Sequence, residues 1–225
     1  MNFFISITTI KKYKIALDIL IDSLPDDWKN KYILIYQDIK NINDDNNYKI
    51  FEDGHIEVYI KNNLYDYGNW IGVNILLEKK IVPEDSWFLF IHDTCKFFNN
   101  SSVIKMYDII KKYKNTDIDI LWMCNTGQCN ICLIRKNGVK YGNDIYKDIL
   151  CMTKSETIKY EWEHKNKFSP KSFNVKQEFL KNTAKHLGTR YVYNNINKRD
   201  VLFYSSINME KYFYQVVNKI HPHNL

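Results

Sequence analysis

A histidine and an aspartate stand at the end of the strongly apolar segment "SWFLFIHDTC", Ser86 to Cys95. The run from Trp87 to Ile91 predicts a buried strand, which would hold His92 and Asp93 at its tip. A carboxylate fixed in this way can bind a hard divalent ion. An imidazole beside it is a ligand that Mn²⁺ tolerates. The alternative is an aspartate that caps the next turn, with a histidine packed beside it.

Polar residues also follow the three strands predicted before this one. They are Thr8 and Thr9 after "FFISI", Gln37 and Asp38 after "KYILIY", and Asn62 and Asn63 after "HIEVYIK". In an open α/β sheet, ligands bind outside the carboxyl ends of the parallel strands, so these residues are candidates for one site. The sequence contains no glycine-rich dinucleotide fingerprint after the first strand and no P-loop motif, which argues against both of those enzyme classes.

Helical patterns separate the predicted strands. They cover "KYKIALDILIDSL", "YGNWIGVNILLEKKI" and "SSVIKMYDIIKKYK", the last with Ser101 as a possible cap. Two strands then flank a turn at 125–127, and a helix is predicted around 143–150. Apolar strands that alternate with helices predict an α/β fold with a mostly parallel, mixed central sheet flanked by helices.

The chain becomes more polar and aromatic from about Lys154. Helices are predicted in "NVKQEFLKNTAKHLG" and "MEKYFYQVVNKI", and short strands in "TRYVYNN" and "DVLFYSS". No convincing linker interrupts the sequence, and 225 residues with 45% hydrophobic content suit one sizeable core. We therefore expect a single domain over residues 1–225.

The net charge of +6 suits an anionic ligand, although the basic residues are interspersed with acidic ones as on an ordinary solvated surface. The aromatic residues fall mainly at core spacing, so no nucleic-acid partner is expected. The first apolar run precedes its lysines, the reverse of a secretory signal, and no run is long enough to span a bilayer. Five cysteines in mostly apolar runs do not predict a disulfide framework. These features favour a soluble, cytoplasmic protein without a transmembrane segment.

The segment "IKNNLYDYGNWIG", Ile60 to Gly72, resembles a motif of the GT-A-fold glycosyltransferases, most closely the bacterial polysaccharide and rhamnan-synthesis type. Those enzymes carry R-x-N-x-G-Y-D-F-G-x-W after the third strand. The matching residues are Asn63, Tyr65, Asp66, Gly68 and Trp70 or Asn69, whereas Leu64 replaces a glycine and Lys61 or a neighbour replaces the arginine. The strand "WFLFIHDTC" stands where those enzymes carry D-x-D, of which only Asp93 is present.

The resemblance implies transfer of a sugar from a nucleotide-diphosphate sugar to a glycan or protein hydroxyl acceptor, assisted by Mn²⁺ or Mg²⁺. It implies a nucleotide-sugar-binding half over 1–115 and an acceptor-side half with a C-terminal extension over 116–225. Asp93 would bind the metal and act in catalysis. The residues expected to contact the donor are Thr8, Thr9, Asp38, Asn63, Asp66, Gly68 and His92.

The later part of the chain resembles the same enzymes more weakly. "KYEWEHK" is similar to the acidic segment that often supplies their catalytic base, which makes Glu161 and Glu163 the candidates in an inverting enzyme. His221 is a candidate metal ligand, against the alternative of a frayed terminus. Among Trp70, Trp122 and Trp162, one could form a platform for a sugar ring, although core packing is the stronger expectation for Trp122.

Two other functions fit parts of the sequence. A nucleotidyltransferase uses a similar sheet and metal, but it would need a glycine-rich basic loop where "SITTIKKYK" has only lysines. A non-catalytic glycan-binding protein on a decayed GT-A fold would explain the incomplete D-x-D. The spacing of Cys124, Cys129 and Cys132 invites a zinc or iron–sulfur site, but no fourth ligand lies nearby and buried cysteines also serve as small hydrophobes.

Overall fold

A computed structural model describes residues 2–10, 13–42, 47–98, 100–123, 131–157, 184–187, 190–194 and 200–212. The predicted site residues Glu161, Glu163 and His221 lie outside these ranges, as do Trp162 and the turn predicted at 125–127. Within the described ranges, no helix is long and apolar enough to cross a membrane.

Twelve strands and four α-helices make up the described fold. The strands are β1 (Phe3–Thr9), β2 (Tyr32–Tyr36), β3 (Tyr48–Ile50), β4 (Ile56–Tyr59), β5 (Trp87–His92), β6 (Cys95–Phe97), β7 (Ile120–Trp122), β8 (Cys132–Ile134), β9 (Ala184–His186), β10 (Arg190–Asn194), β11 (Asp200–Tyr204) and β12 (Met209–Tyr212). The helices are α1 (Lys14–Asp22), α2 (Gly68–Glu78), α3 (Ser101–Tyr113) and α4 (Lys136–Tyr146).

The central sheet has eight strands in the order β3-β4-β2-β1-β5-β8-β7-β9. All of them run parallel except β3 and β8, which are antiparallel to their neighbours. The prediction of an α/β fold with a mostly parallel, mixed sheet flanked by helices is therefore confirmed. This topology gathers the carboxyl ends of β1, β2, β4 and β5 along one edge.

The sheet buries side chains on both faces. On one face, Ile5 and Ile7 of β1 belong to the same core cluster as Leu20 of α1. On the other face, the ring of Phe90 packs edge-on against Trp70 of α2, with ring centroids 5.1 Å apart. Because helices cover both faces, these strands read as continuous apolar runs rather than alternating ones.

A second, antiparallel sheet adjoins the tip of β5. Its order is β10-β11-β12-β6, and β6 begins only three residues after His92. The helix predicted over "MEKYFYQVVNKI" is wrong for Met209–Tyr212, because this segment pairs with β11 on one side and β6 on the other. Likewise, Ala184–His186 pairs with β7 where a helix was predicted. In both places tertiary pairing overrides a weak local preference for helix.

Smaller differences concern element ends. The helix predicted around 143–150 begins earlier, at Lys136, and β3 is a short strand that the sequence analysis did not predict. Ser101 does not cap α3; its hydroxyl accepts a hydrogen bond from the Asn208 amide at 2.7 Å. The serine thus ties α3 to the turn before β12, a role that no local pattern indicates.

Helices α2 and α4 pack closely because a glycine lies between them. A Cβ atom on Gly142 would overlap the indole ring of Trp70. That ring is only 3% exposed, so Trp70 cannot serve as a platform for a sugar, and this part of the prediction is wrong. Trp122 is 2% exposed and packs in the core, as expected.

Replacing Gly142 by alanine should destabilise the protein by about 1–3 kcal/mol, the usual cost of overpacking. Helix propensity alone would favour alanine by about 1 kcal/mol, so the sign of the change separates the two effects. Urea unfolding of Gly142→Ala and of the exposed control Lys140→Ala on the same helix would measure it. A more stable Gly142→Ala would contradict the close packing.

Candidate functional site

The carboxyl ends of the parallel strands enclose a small cavity of about 110 Å³. Its lining residues are Thr8, Thr9, Ile10, Tyr13, Gln37, Asn63, Tyr65, Asp66 and Asp93. Five of the predicted site residues, Thr8, Thr9, Asn63, Asp66 and Asp93, are therefore neighbours in space although β1 and β5 are far apart in sequence. Their assigned roles in donor binding stay a prediction.

Asp93 is the buried acid of this cavity, with 8% of its surface exposed. Burial raises the pKa of its carboxyl group to about 7. A hydrogen bond from the Thr9 hydroxyl to Oδ2, 3.1 Å long, opposes this increase. The negative charge of Asp66 adds to the increase, and the positive charge of Lys211 counteracts it. The pKa near 7 lets this carboxyl change its protonation state around neutral pH.

A continuous polar contact links Asp66, His92 and Lys211. The Nδ1 atom of His92 contacts Oδ1 of Asp66, and its Nε2 atom lies 3.1 Å from Nζ of Lys211. An ammonium group can only donate, so Nε2 accepts and Nδ1 carries the hydrogen that is donated to Asp66. The ring is thereby fixed as one neutral tautomer between a negative and a positive group.

This contact gives His92 a different position from that expected of a donor-binding residue. Its side chain is 6% exposed, compared with 17% for Asp66. His92 holds the Asp66 carboxylate from behind, while Asp66 itself lines the cavity. The role that the structure supports for His92 is to orient Asp66.

Gln37 clamps the segment that carries Tyr65 and Asp66. Its Oε1 accepts a hydrogen bond from the Leu64 backbone at 2.7 Å, and its Nε2 donates to the Tyr65 carbonyl at 2.6 Å. Gly68 lies against the same side chain, where an added Cβ would stand 2.7 Å from Cδ of Gln37. The glycine of the motif is therefore required by the clamp and is not one of the residues that line the cavity.

Two residues near the cavity have left-handed backbone conformations, with φ of 59° at Asp38 and 52° at Tyr65. Each such conformation costs about 1–2 kcal/mol for a non-glycine residue. Asp38 is exposed, its backbone N–H donates to the Asn62 carbonyl at 3.1 Å, and its side chain does not line the cavity. The structure thus separates Asp38 from the five clustered residues.

Asn63 is held in place through its backbone. Its N–H donates to the Leu150 carbonyl at 2.8 Å, and its carbonyl accepts from Met152 at 2.9 Å. These bonds form a parallel bridge to Cys151. The amide side chain of Asn62 donates to Ile149 at 2.7 Å, which strengthens the same junction. The chain after α4 therefore fixes the edge of the cavity.

The described residues contain no cluster of three or more histidine, cysteine, aspartate or glutamate side chains that could hold a metal ion. Asp66 and Asp93 are the two carboxylates that line the cavity. The further candidates Glu161, Glu163 and His221 fall in the part of the chain outside the description.

The cavity is not the largest concave surface of the protein. A concavity of about 970 Å³ lies at the opposite edge of the sheet, where four of the charged groups that line it form two ion pairs. Lys136 pairs with Glu84 at 2.7 Å, and Arg135 with Asp119 at 3.4 Å. Arg135 also donates to the Thr116 carbonyl at 2.6 Å. These groups brace the amino ends of the strands, so we place the candidate site at the carboxyl edge.

Four residues of the site were not predicted from the sequence. Ile10, Tyr13 and Tyr65 line the cavity, and Lys211 approaches it from the second sheet. If the segment that carries Lys211 had been predicted as a strand, Lys211 would have been placed on the same face as the buried Met209, because residues i and i+2 of a strand share a face. Predicting that segment as a helix hid this relationship.

Replacing Gln37 by glutamate should loosen the clamp, because the second carboxylate oxygen would face the Tyr65 carbonyl without a hydrogen to donate. We expect a loss of about 1–3 kcal/mol in the free energy of unfolding, as for other buried groups left without a partner. Urea unfolding would measure it, with Asn115→Asp as an exposed amide-to-acid control. Equal stabilities of the two variants would contradict the clamp.

The raised pKa of Asp93 predicts a stability that falls as pH rises. Between about pH 4 and pH 7 the native state retains a proton on Asp93 that the unfolded chain releases, so stabilisation present at low pH is lost as the pH passes through 7. The unfolding free energy of the protein relative to Asp93→Asn should decrease by up to about 4 kcal/mol over this range.

Denaturant titrations from pH 4 to pH 8 in the presence of a chelator would measure this difference. The exposed Asp27→Asn variant serves as the control and should follow the unmodified protein at every pH. A difference between the protein and Asp93→Asn that stays constant with pH would show that Asp93 is ionised throughout.

Comparison with known proteins identifies no family for this chain. No family model matches the chain, and no curated protein sequence matches it. The features that bear on function are the cavity at the carboxyl edge of the sheet and the resemblance of the segment Ile60 to Gly72.

Proposed function

We propose that the protein is a glycosyltransferase of GT-A type, which moves a sugar from a nucleotide-diphosphate sugar to a hydroxyl group of a glycan or protein. The observation that carries this proposal is the convergence of Asp66 and Asp93 in one cavity at the carboxyl edge of a mostly parallel sheet. This edge is where open α/β sheets bind their ligands. The motif that resembles glycosyltransferases supplies Asp66, and the strand in the place of D-x-D supplies Asp93.

The size of the cavity limits what it can hold. At about 110 Å³ it is smaller than the ~300–1,000 Å³ of typical ligand pockets. In this proposal the cavity receives the diphosphate end of the donor, and the base and sugar extend along the strand ends beside it. Thr8, Thr9 and Asn63 offer hydroxyl and amide groups for hydrogen bonds to the donor.

The donor atoms around the cavity fit a hard divalent ion such as Mn²⁺ or Mg²⁺. Asp93 and Asp66 bring two carboxylates together, and their mutual repulsion contributes to the raised pKa of Asp93. These two residues would hold the ion, and phosphate oxygens and water would complete its coordination. Such an ion supplies Lewis-acid stabilisation of the departing diphosphate.

The chain's own residues hold the two acids in place. Thr9 donates to Asp93, and His92 donates to Asp66, so each carboxylate is oriented by a buried neighbour. Gln37 holds the backbone of the segment before Asp66 by accepting from the Leu64 N–H and donating to the Tyr65 carbonyl. Activation of the acceptor hydroxyl is assigned to Glu161 or Glu163, as the resemblance implies, and this part of the proposal lies outside the described residues.

The same proposal carries the finer expectations that follow from the resemblance. The residues 1–115 bind the nucleotide sugar, the residues 116–225 face the acceptor, and the protein acts in the cytoplasm. His221 would add a ligand to the metal site. These assignments depend on the glycosyltransferase activity and would lose their basis without it.

A thermal-shift screen of nucleotide-diphosphate sugars with and without Mn²⁺ tests the proposal. A ligand at about 100 times its dissociation constant stabilises the native state by about 2.7 kcal/mol. For a protein of this size that corresponds to an increase in Tm of about 5 °C or more. Asp93→Asn should abolish the metal-dependent shift, whereas Asp119→Asn, a buried acid at the opposite edge, should retain it.

The outcomes separate the candidate functions. A shift together with release of the nucleotide diphosphate from the donor supports a transferase. A shift with glycans alone and no donor hydrolysis would replace it with a glycan-binding protein. Binding of a nucleoside triphosphate with a sugar phosphate would favour a nucleotidyltransferase, and no shift with any nucleotide would overturn the proposal.

A further inference from the structure

We propose that Lys211 is a built-in counter-cation of the acidic site, and that its ammonium group fills part of the charge-neutralising role that a divalent ion would otherwise fill. The proposal rests on the proposed function insofar as Asp66 and Asp93 form the donor site. Its direct consequence concerns cation binding: removing the charge of Lys211 should make the site bind divalent ions more tightly.

The position of Lys211 follows from strand pairing between the two sheets. Strand β12 lies beside β6, with Lys211 opposite Cys95, two residues after Asp93. Its Nζ atom reaches the Nε2 atom of His92 at 3.1 Å. The other ring nitrogen of His92 contacts Asp66, so a single imidazole ring separates the ammonium group from that carboxylate.

Lys211 also interacts electrostatically with the second acid. Its positive charge lowers the pKa of Asp93, opposing burial and the charge of Asp66. The ammonium group therefore acts on both carboxylates of the cavity, on one through the histidine ring and on the other through space. Because the surroundings are largely buried, these interactions are screened less than they would be at an exposed surface.

This arrangement gives a physical meaning to the incomplete D-x-D. Where the resembling enzymes carry another acid, this chain has either Ile91 or the neutral ring of His92, and His92 binds an ammonium group. The net charge around Asp66 and Asp93 is therefore less negative than it would be without Lys211. A divalent ion approaching Asp66 and Asp93 is attracted by the carboxylates and repelled by Lys211. We expect the site to need less help from a metal and to bind one weakly.

A purely structural role for Lys211, as a hydrogen-bond donor that pins β12 to β5, predicts a different result. Lys211→Gln separates the two roles because glutamine keeps an N–H donor for Nε2 of His92 and loses the charge. Lys211→Arg keeps both the charge and the donor. Lys211→Met removes both and serves as a second neutral variant should glutamine impair folding.

Isothermal titration of Mn²⁺ into the full chain, without any nucleotide, measures the effect. We expect Lys211→Gln to bind Mn²⁺ at least about tenfold more tightly than the unmodified protein, since a nearby positive charge opposes a divalent cation strongly at low effective dielectric. Lys211→Arg should match the unmodified protein. Lys96→Met removes an exposed lysine on the neighbouring strand and controls for net charge. The Lys211→Gln, Asp93→Asn double variant should lose the gain.

Equal Mn²⁺ affinities of the unmodified protein and of Lys211→Gln and Lys211→Met would overturn the proposal. So would the absence of Mn²⁺ binding to both neutral variants at millimolar concentration, or an equal gain in Lys96→Met. The result does not depend on donor binding. If no nucleotide binds to any variant, the glycosyltransferase proposal fails, while tighter Mn²⁺ binding by Lys211→Gln would still establish Lys211 as the counter-cation.

Discussion

A carboxyl group buried at the tip of a central strand is the constraint on which the site depends. Asp93 is buried just after the end of β5, and this burial opposes its ionisation strongly enough to raise its pKa to about 7. The negative charge of Asp66 in the same cavity raises the pKa of Asp93 further, because like charges repel one another. Two neighbouring groups lower the free-energy cost of ionising Asp93. Thr9 donates directly to Asp93, and Lys211 supplies a positive charge that also reaches Asp66 through His92.

This charge balance joins the two sheets. Lys211 and His92 are 119 residues apart in sequence, yet their side chains are in contact. Strand β6 follows β5 almost directly and pairs with β12, so the segment that presents His92 and Asp93 also aligns the strand that carries Lys211. The second sheet is thus part of the electrostatics of the site. A fragment that ended before β11 would leave both acids without their counter-charge.

The sequence predicted the central sheet and four of the clustered residues, Thr8, Thr9, Asn63 and Asp93, for one physical reason, whereas Asp66 was expected from the resemblance to glycosyltransferases. Strands buried on both faces are continuous apolar runs, and the polar residues that follow them must gather at one edge. Residues that depend on distant pairing were missed. Met209–Tyr212 was predicted as helix because its partners β6 and β11 leave no local mark, and Lys211 was lost with it. Trp70 looked like an exposed platform because the sequence does not show that Gly142 lies against it.

The segment that resembles glycosyltransferases divides into two physical parts. Gly68 makes room for Gln37, and Asn69 accepts from Ser6 at 2.7 Å and donates to the Ile91 carbonyl at 3.3 Å. These residues attach the start of α2 to the strands beneath it. Only the residues before them, among them Tyr65 and Asp66, line the cavity. Much of such a motif therefore specifies how a helix joins a parallel sheet, and proteins with different chemistry could share that part. Asp66 is the residue of the motif that favours sugar transfer, because it brings a carboxylate to the same cavity as Asp93.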